Sequence, residues 1–279
     1  DLLAIAPDRL GQGSPIRVER VADNETLIRR LARDLLDDYR AAKAAGRDKV
    51  MMIVPVGPVG AFDLLAAACN EQGQSLADLV VINMDEYLEP DGQGFIPASD
   101  PLSFRGHMQR HFWDVLRPEL APPEEQRIFP DPRALGHVPE TIERLGGVDV
   151  CYGGVGITGH VAFNDPPGAG EAVDTEAFAA LPTRVVELST ETLVINSVTA
   201  CRGNIERIPK LAVTVGMAEI LGARRVRLYM NRPWQCAIVR KLLHGPVTAS
   251  VPASLLQRHP DCRLVLTDEV AALPEPTLR

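Results

Sequence analysis

The 279-residue sequence has no run approaching the roughly 18 apolar residues that a membrane-spanning helix needs, so no membrane partner is expected. Its first residues lack a basic segment followed by an apolar one, so no secretory signal is expected. Cations are in deficit: 29 Lys and Arg stand against 37 Asp and Glu, a net charge of −8. That argues against a general phosphate-backbone binder, and so against a nucleic-acid partner, but allows one locally positive pocket. The five cysteines are scattered and never form C-x-x-C. Reduced thiols in a cytoplasmic protein are the expectation. The six histidines form no H-E-x-x-H. His107 and His111, four apart, could share a helix face, but no ligand set accompanies them and no metal is expected. Internal repeats, low-complexity tracts and linkers are missing as well. What remains is a globular composition, 46% apolar and 24% charged, long enough for a sizeable core. A single domain over residues 1–279 is expected.

The periodicity switches repeatedly between helix and buried strand. Asn24 can cap a helix whose apolar face is Leu27, Leu31, Leu35 and Tyr39. Continuous apolar runs at 50–54 and 79–82 fit strands covered on both faces. A third strand is expected at 148–152, and others at 212–215, 225–230 and 263–266. Helices are expected over about residues 61–70, 104–116 and 234–243. Residues 88–101 and 164–182 are rich in Gly and Pro and are expected as loops, the second long enough for a lid or mobile segment. Alternating strands and helices imply one doubly wound α/β domain, with a mainly parallel sheet and helices on both faces. Ligands then bind outside the carboxyl ends of the strands.

Three strand ends carry polar or glycine-rich clusters. Gly57-Pro58-Val59-Gly60 lies between a strand and a helix, where backbone N–H groups can approach an anion; an ordinary tight turn has the same pattern. Asp85-Glu86 follows a buried strand, and two carboxylates at the mouth of a sheet can act as general bases or merely cap a helix. His160 sits in a glycine-dense run with Asp165 five residues later. A histidine can move protons near neutrality, and a nearby carboxylate can set its tautomer; a hydrogen-bonded core histidine is the competing reading.

The segments N-M-D-E-Y (83–87), G-G-V-G-I-T-G-H-V-A-F-N-D-P (153–166) and P-K-L-A-V-T-V-G (209–216) together resemble the glucosamine-6-phosphate deaminase/isomerase family. L-L-Q-R-H-P (255–260) is similar to that family's C-terminal region, and motif order matches from about residue 48 to 270. The wider superfamily includes 6-phosphogluconolactonases and sugar-sensing domains of bacterial regulators. The resemblance implies a doubly wound α/β fold and a sugar-phosphate pocket without metal or organic cofactor. It implies that Asp85 is the base moving a proton between C1 and C2. It also implies that His160 assists ring opening and that Asp165, one methylene shorter than the usual glutamate, supports His160. The partner is then a small-molecule sugar. If C2 bears an amine, the enolamine formed tautomerises to an imine and water releases ammonia. The family commonly self-associates, although no heptad seam in this sequence signals a homo-oligomer. The matching positions make Gly57, Val59, Gly60, Glu86, Thr158, Gly159 and Gln235 the candidate substrate contacts.

Several positions depart from the family pattern. Thr158 replaces an aspartate and cannot ionise. The phosphate turn, usually T-G-G-T-P or S-G-G-S-T-P, is Val56-Gly57-Pro58-Val59-Gly60, without hydroxyls and with one N–H removed by proline. Leu193 stands for an arginine and Gln235 for a lysine. A phosphate dianion would lose several charge-assisted hydrogen bonds, each worth about 1.5–3 kcal/mol. Two or three such losses exceed about 4 kcal/mol, roughly a thousandfold in affinity. Arg184, Arg202 or Arg232 could compensate. The sequence therefore predicts an isomerase or amino-sugar deaminase with an altered anion site. A catalytically silent sugar-binding relative and a 6-phosphogluconolactonase-like lactonase are the alternatives.

Overall fold

Which side chains face which way along the strands decides where the layers lie. The computed structural model describes residues 1–168, 170–171 and 174–275. In order, β1 (Arg17–Val21) leads to α1 (Asn24–Ala44), β2 (Val50–Val54), α2 (Ala61–Gln72), β3 (Leu79–Asn83), β4 (Asp85–Tyr87), α3 (Phe104–Met108), β5 (Arg127–Ile128), α4 (His137–Arg144) and β6 (Val150–Gly153). Then come α5 (Thr175–Ala179), β7 (Arg184–Glu187), α6 (Thr190–Ala200), β8 (Leu211–Thr214), α7 (Met217–Leu221), β9 (Val226–Met230), α8 (Cys236–His244), β10 (Cys262–Thr267) and α9 (Asp268–Ala271).

Seven strands form an all-parallel sheet in the order β1-β10-β9-β6-β2-β3-β5. Residues alternate between its two faces, as the pleat requires. Val50, Met52 and Val54 of β2 pack with Leu31, Leu35 and Tyr39 of α1 and Phe62 and Leu65 of α2. Met51 and Ile53 face the other way, into a core completed by Val239, Leu242 and Leu243 of α8 and Ile220 of α7. The fold is therefore α/β with helices on both faces. Among the described residues, no helix is long and apolar enough to cross a membrane.

A second, three-stranded antiparallel sheet has the order β4-β8-β7. The strand expected at 212–215 belongs here rather than to the main sheet. Its inner face meets a small apolar cluster of Tyr87, Ile96, Phe163, Leu188 and Ile208. Other local expectations shift for identifiable reasons. Asp23, not Asn24, caps α1, because its carboxylate accepts the Thr26 N–H at 2.8 Å. The helix expected over 104–116 is α-helical only to Met108 and continues as a wide turn over Gln109–Trp113. The segment 88–101 is irregular apart from a Leu88–Phe95 bridge, as expected. The segment 164–182 contains α5, and its residues 169, 172 and 173 lie outside the described residues. All five cysteines are unpaired.

Arg240 of α8 is fully buried and donates to the carbonyls of Ile5, Cys236, Ala271 and Ala272 at 2.7–3.0 Å. One guanidinium thereby holds the segment before β1 and the end of α9 against α8. Replacing one partner of buried hydrogen bonds strands the others. Arg240→Met should lower stability by about 3 kcal/mol in urea unfolding with an unchanged denaturant slope.

Candidate active site

The main sheet changes direction between β6 and β2, since successive strands are added to opposite sides from there. Such a crevice is where open α/β sheets take ligands. A cleft of about 420 Å³ opens there. It is walled by the residues that follow β2 (Pro55–Val59), β6 (Gly154–Gly156) and β9 (Asn231–Gln235), by Asp85 and Tyr87 of β4, and by Phe104 and His107 of α3. Asp85 and His160, far apart in sequence, both line it.

His160 is set by a glycine-shaped loop. The Gly156 N–H donates to the His160 carbonyl at 2.9 Å, and Gly159 adopts φ +89°. A Cβ on Gly156 would lie 1.9 Å from His160 Nε2, so the imidazole rests directly over that glycine. Its Nδ1 is 2.8 Å from Asp165 Oδ1. Thr158 and Thr192 each donate a hydroxyl to the same oxygen at 2.8 Å, and the Ser189 N–H reaches Oδ2 at 3.1 Å. Burial works to raise the Asp165 carboxyl. The His160 hydrogen bond and charge, the Thr192 hydroxyl and the Ser189 N–H outweigh it and hold the group well below the usual carboxylate range. An ionised Asp165 takes the proton on Nδ1, which leaves Nε2 as the free ring nitrogen. Thr192 is a member of this cluster that the sequence reading missed. Its only signal is a hydroxyl in S-T-E-T, a pattern shared with any helix start.

Asp85 is the first residue of β4, at the step between the two sheets. Its carboxylate makes no hydrogen bond within the described residues and faces the cleft beside Tyr87, Phe104 and Phe163. Burial among these groups, with a smaller contribution from the Glu86 charge, pushes its pKa up to about 8. Glu86 points the opposite way, as strand alternation dictates. It is fully buried and accepts from the backbone of Tyr87, Phe104 and Arg105 and from Ser103 Oγ at 2.8–3.0 Å. The expected substrate contact at Glu86 is thus corrected: it anchors the start of α3 and does not reach the cleft.

The other candidate positions divide. Gly57 and Val59 line the cleft, with Val59 56% exposed. Gly60 does not; it precedes α2 at φ +101°. Thr158 and Gly159 stand behind His160 and also miss the cleft wall. Gln235 lines it, but both ends of its amide are committed. Nε2 donates to Val155 O, and Oε1 accepts the Arg232 N–H, each at 2.8 Å. Leu193 packs against the small apolar cluster. Of the three arginines, Arg184 donates to Asn164 Oδ1 at 2.6 Å and Arg202 lies off the cleft. Arg232 is the one Arg or Lys among the described lining residues. Among the described residues, no group of three or more His, Cys, Asp or Glu is placed to hold a metal.

No protein-family model matches the chain. Curated relatives do. A glucosamine-6-phosphate deaminase of Halothermothrix orenii is 30% identical over 223 residues, covering 77% of this chain and 83% of the relative. The chain belongs to the glucosamine-6-phosphate deaminase family. A second relative with the same name, from Rhodopirellula baltica, is 29% identical and covers 95% of this chain and 98% of its own. Among solved structures, a monomeric glucosamine-6-phosphate deaminase superposes with TM-score 0.77 at 24% identity, over 92% of this chain and 100% of that one. A 6-phosphogluconolactonase from Trypanosoma cruzi superposes with TM-score 0.68 at 16% identity, over 92% and 96%. At these identities the structural likeness concerns the fold.

Two outcomes follow from the geometry of this family member. Gly156→Ala should displace the His160 ring and break its Nδ1 contact; the slowly exchanging Nδ1 proton, expected in the NMR spectrum of the wild type, should disappear while the melting temperature changes little. Asp85 has a folded-state pKa above its unfolded value of about 3.9, so its contribution to stability is present below pH 4 and lost as pH rises through about 8. Asp85→Asn, which does not titrate, should therefore gain melting temperature over the wild type as pH rises from 4 to about 8, and no further beyond.

Proposed function

We propose that this chain is a sugar isomerase or amino-sugar deaminase acting on an amino sugar or related sugar that lacks the usual 6-phosphate contacts. The observation that carries this reading is the convergence of Asp85 and the His160–Asp165 pair on one cleft. Aldose-to-ketose conversion needs an open chain, a base beside C2 and an acid near O5 or O1. His160 Nε2 takes the proton of the C1 hydroxyl and passes it to the ring oxygen as the C1–O5 bond breaks and the C1 carbonyl forms. Asp85, ionised, removes the C2 proton as the C1 carbonyl oxygen takes one from solvent, which produces an enolamine if C2 carries nitrogen. Asp85 returns its proton to C1, forming an imine at C2. Water adds there and ammonia leaves, giving the ketose. Asp165 keeps the His160 tautomer in place through this sequence, and the Thr158 and Thr192 hydroxyls stabilise Asp165 where the family would use a second acid.

The altered anion site supports an unphosphorylated substrate. Val56, Pro58 and Val59 offer no hydroxyl, Gln235 is spent on backbone partners, and Leu193 is apolar. The proposal takes residues 1–279 as one unit that needs neither metal nor organic cofactor and works in a reducing cytoplasm, where five thiols stay free. Its partner is a sugar; nucleic acid and membrane have no part in it.

Purified protein offered amino sugars and neutral sugars, with and without a 6-phosphate, should release ammonia or form ketose most efficiently from an unphosphorylated compound. The value of kcat/KM should rise with pH through about 8 as Asp85 ionises. Asp85→Asn should lower kcat about a thousandfold with little change in KM. Lactone hydrolysis without isomerisation, or sugar binding without turnover, would replace this reading with a lactonase or a silent sugar-binding protein.

A further inference from the structure

One wall of the cleft carries a pair of histidines that the proposed reaction does not use. His107 of α3 lines the cleft and stacks on His111, with ring centroids 4.2 Å apart and planes 23° apart. His111 Nδ1 lies 3.1 Å from Asp63 Oδ1. Asp63 sits in the first turn of α2, immediately after the Gly57–Gly60 turn. The three side chains therefore form a line from the helix start, through one ring, to a second ring at the cleft wall. Neither nitrogen of His107 has a hydrogen-bond partner among the described residues, although the side chain is half-buried. The ring nitrogens are not among the buried unpartnered atoms of the described residues, so water reaches them and a ligand hydroxyl can take its place.

We propose that His107 is a specificity-determining residue that exchanges hydrogen bonds with a terminal hydroxyl of an unphosphorylated sugar, held for that task by His111 and Asp63. This rests on the isomerase or deaminase reading above. A neutral imidazole carries one donor and one acceptor, as a hydroxyl does, so the two are complementary. A phosphate dianion is an acceptor only and calls for several donors. The neutral ring supplies one, Pro58 supplies none, and the Asp63 carboxylate places negative charge beside the turn. Burial, and then the nearby His111 charge, pull the His107 pKa down to about 4, so the ring stays neutral at physiological pH.

The test uses 2-amino-2-deoxy-D-glucitol and its 6-phosphate, open-chain alcohols that lack a carbonyl and so bind without reacting. Calorimetric titration of the wild type should show the unphosphorylated compound binding at least as tightly as its 6-phosphate. His107→Phe keeps the ring stack and deletes both nitrogens; it should weaken binding of the unphosphorylated compound about tenfold. His107→Gln, which restores a donor and an acceptor, should recover part of that loss, and both variants should melt near the wild-type temperature. Unchanged affinity in His107→Phe overturns the role of His107. A wild-type preference of tenfold or more for the 6-phosphate overturns the neutral end of the cleft. Turnover of a free sugar is scored separately. Turnover with unchanged His107→Phe binding defeats this inference alone. Binding that depends on His107 without any turnover defeats the enzymatic reading alone, and no binding by the wild type defeats both.

Discussion

The backbone of one buried residue, Val215, ties together the two halves of the site. Its N–H donates to the carbonyl of Met84, and its own carbonyl accepts the side-chain amide of Asn164. Met84 in turn donates its N–H to Val54 at the end of β2. Asp85 follows Met84 directly, and Asn164 closes the loop that carries His160. An acid from one sheet and an imidazole from the loop after another strand are thus hung on the same residue. None of these bonds reaches solvent, because Val215 and Asn164 are fully buried, and breaking any of them leaves an unpaired polar group in the interior.

Two aspartates of this cleft experience opposite environments. Asp165 is buried but surrounded by donors, and its charge is stabilised. Asp85 is buried without donors, and its charge is disfavoured. Environments that separate two carboxyls in this way suit the different roles proposed for them, a fixed charge at Asp165 and a proton carrier at Asp85. Tyr87, Phe104 and Phe163 pack on one another and line the same cleft as Asp85, whose carboxylate has no hydrogen-bond partner among the described residues. Tyr87 is itself held in place, since its hydroxyl accepts from Asn196 Nδ2 at 3.0 Å.

The strands at 50–54 and 79–83 are readable in sequence because burial on both faces demands unbroken apolar runs, which nothing else in a water-facing chain produces. The three-residue strand β4 is not readable, since its Asp-Glu-Tyr owes its conformation to β8, more than a hundred residues away. The same limit applies to side chains. Asp85 and His160 announce themselves through the motifs around them, but neighbouring Glu86 shares the motif and turns to the α3 backbone. Gln235 lines the cleft yet spends its amide on the backbone, and Thr192 enters the cluster only through the fold. His107 carries a visible spacing to His111, but with no ligand set beside it the spacing alone assigns the pair no role. Its stacking on His111, and the bond from His111 to Asp63, exist only in three dimensions.

The two committed ends of the Gln235 amide bear on how this pocket can change over evolutionary time. A lysine at that position, the residue that the family resemblance places there, cannot accept a hydrogen bond. It would leave the Arg232 amide without its present acceptor, and reaching the cleft would draw its ammonium away from the Val155 carbonyl. Restoring an anion ligand by one substitution thus disturbs the loops after both β6 and β9. A lysine at this position would therefore need matching changes in segments that are distant in sequence.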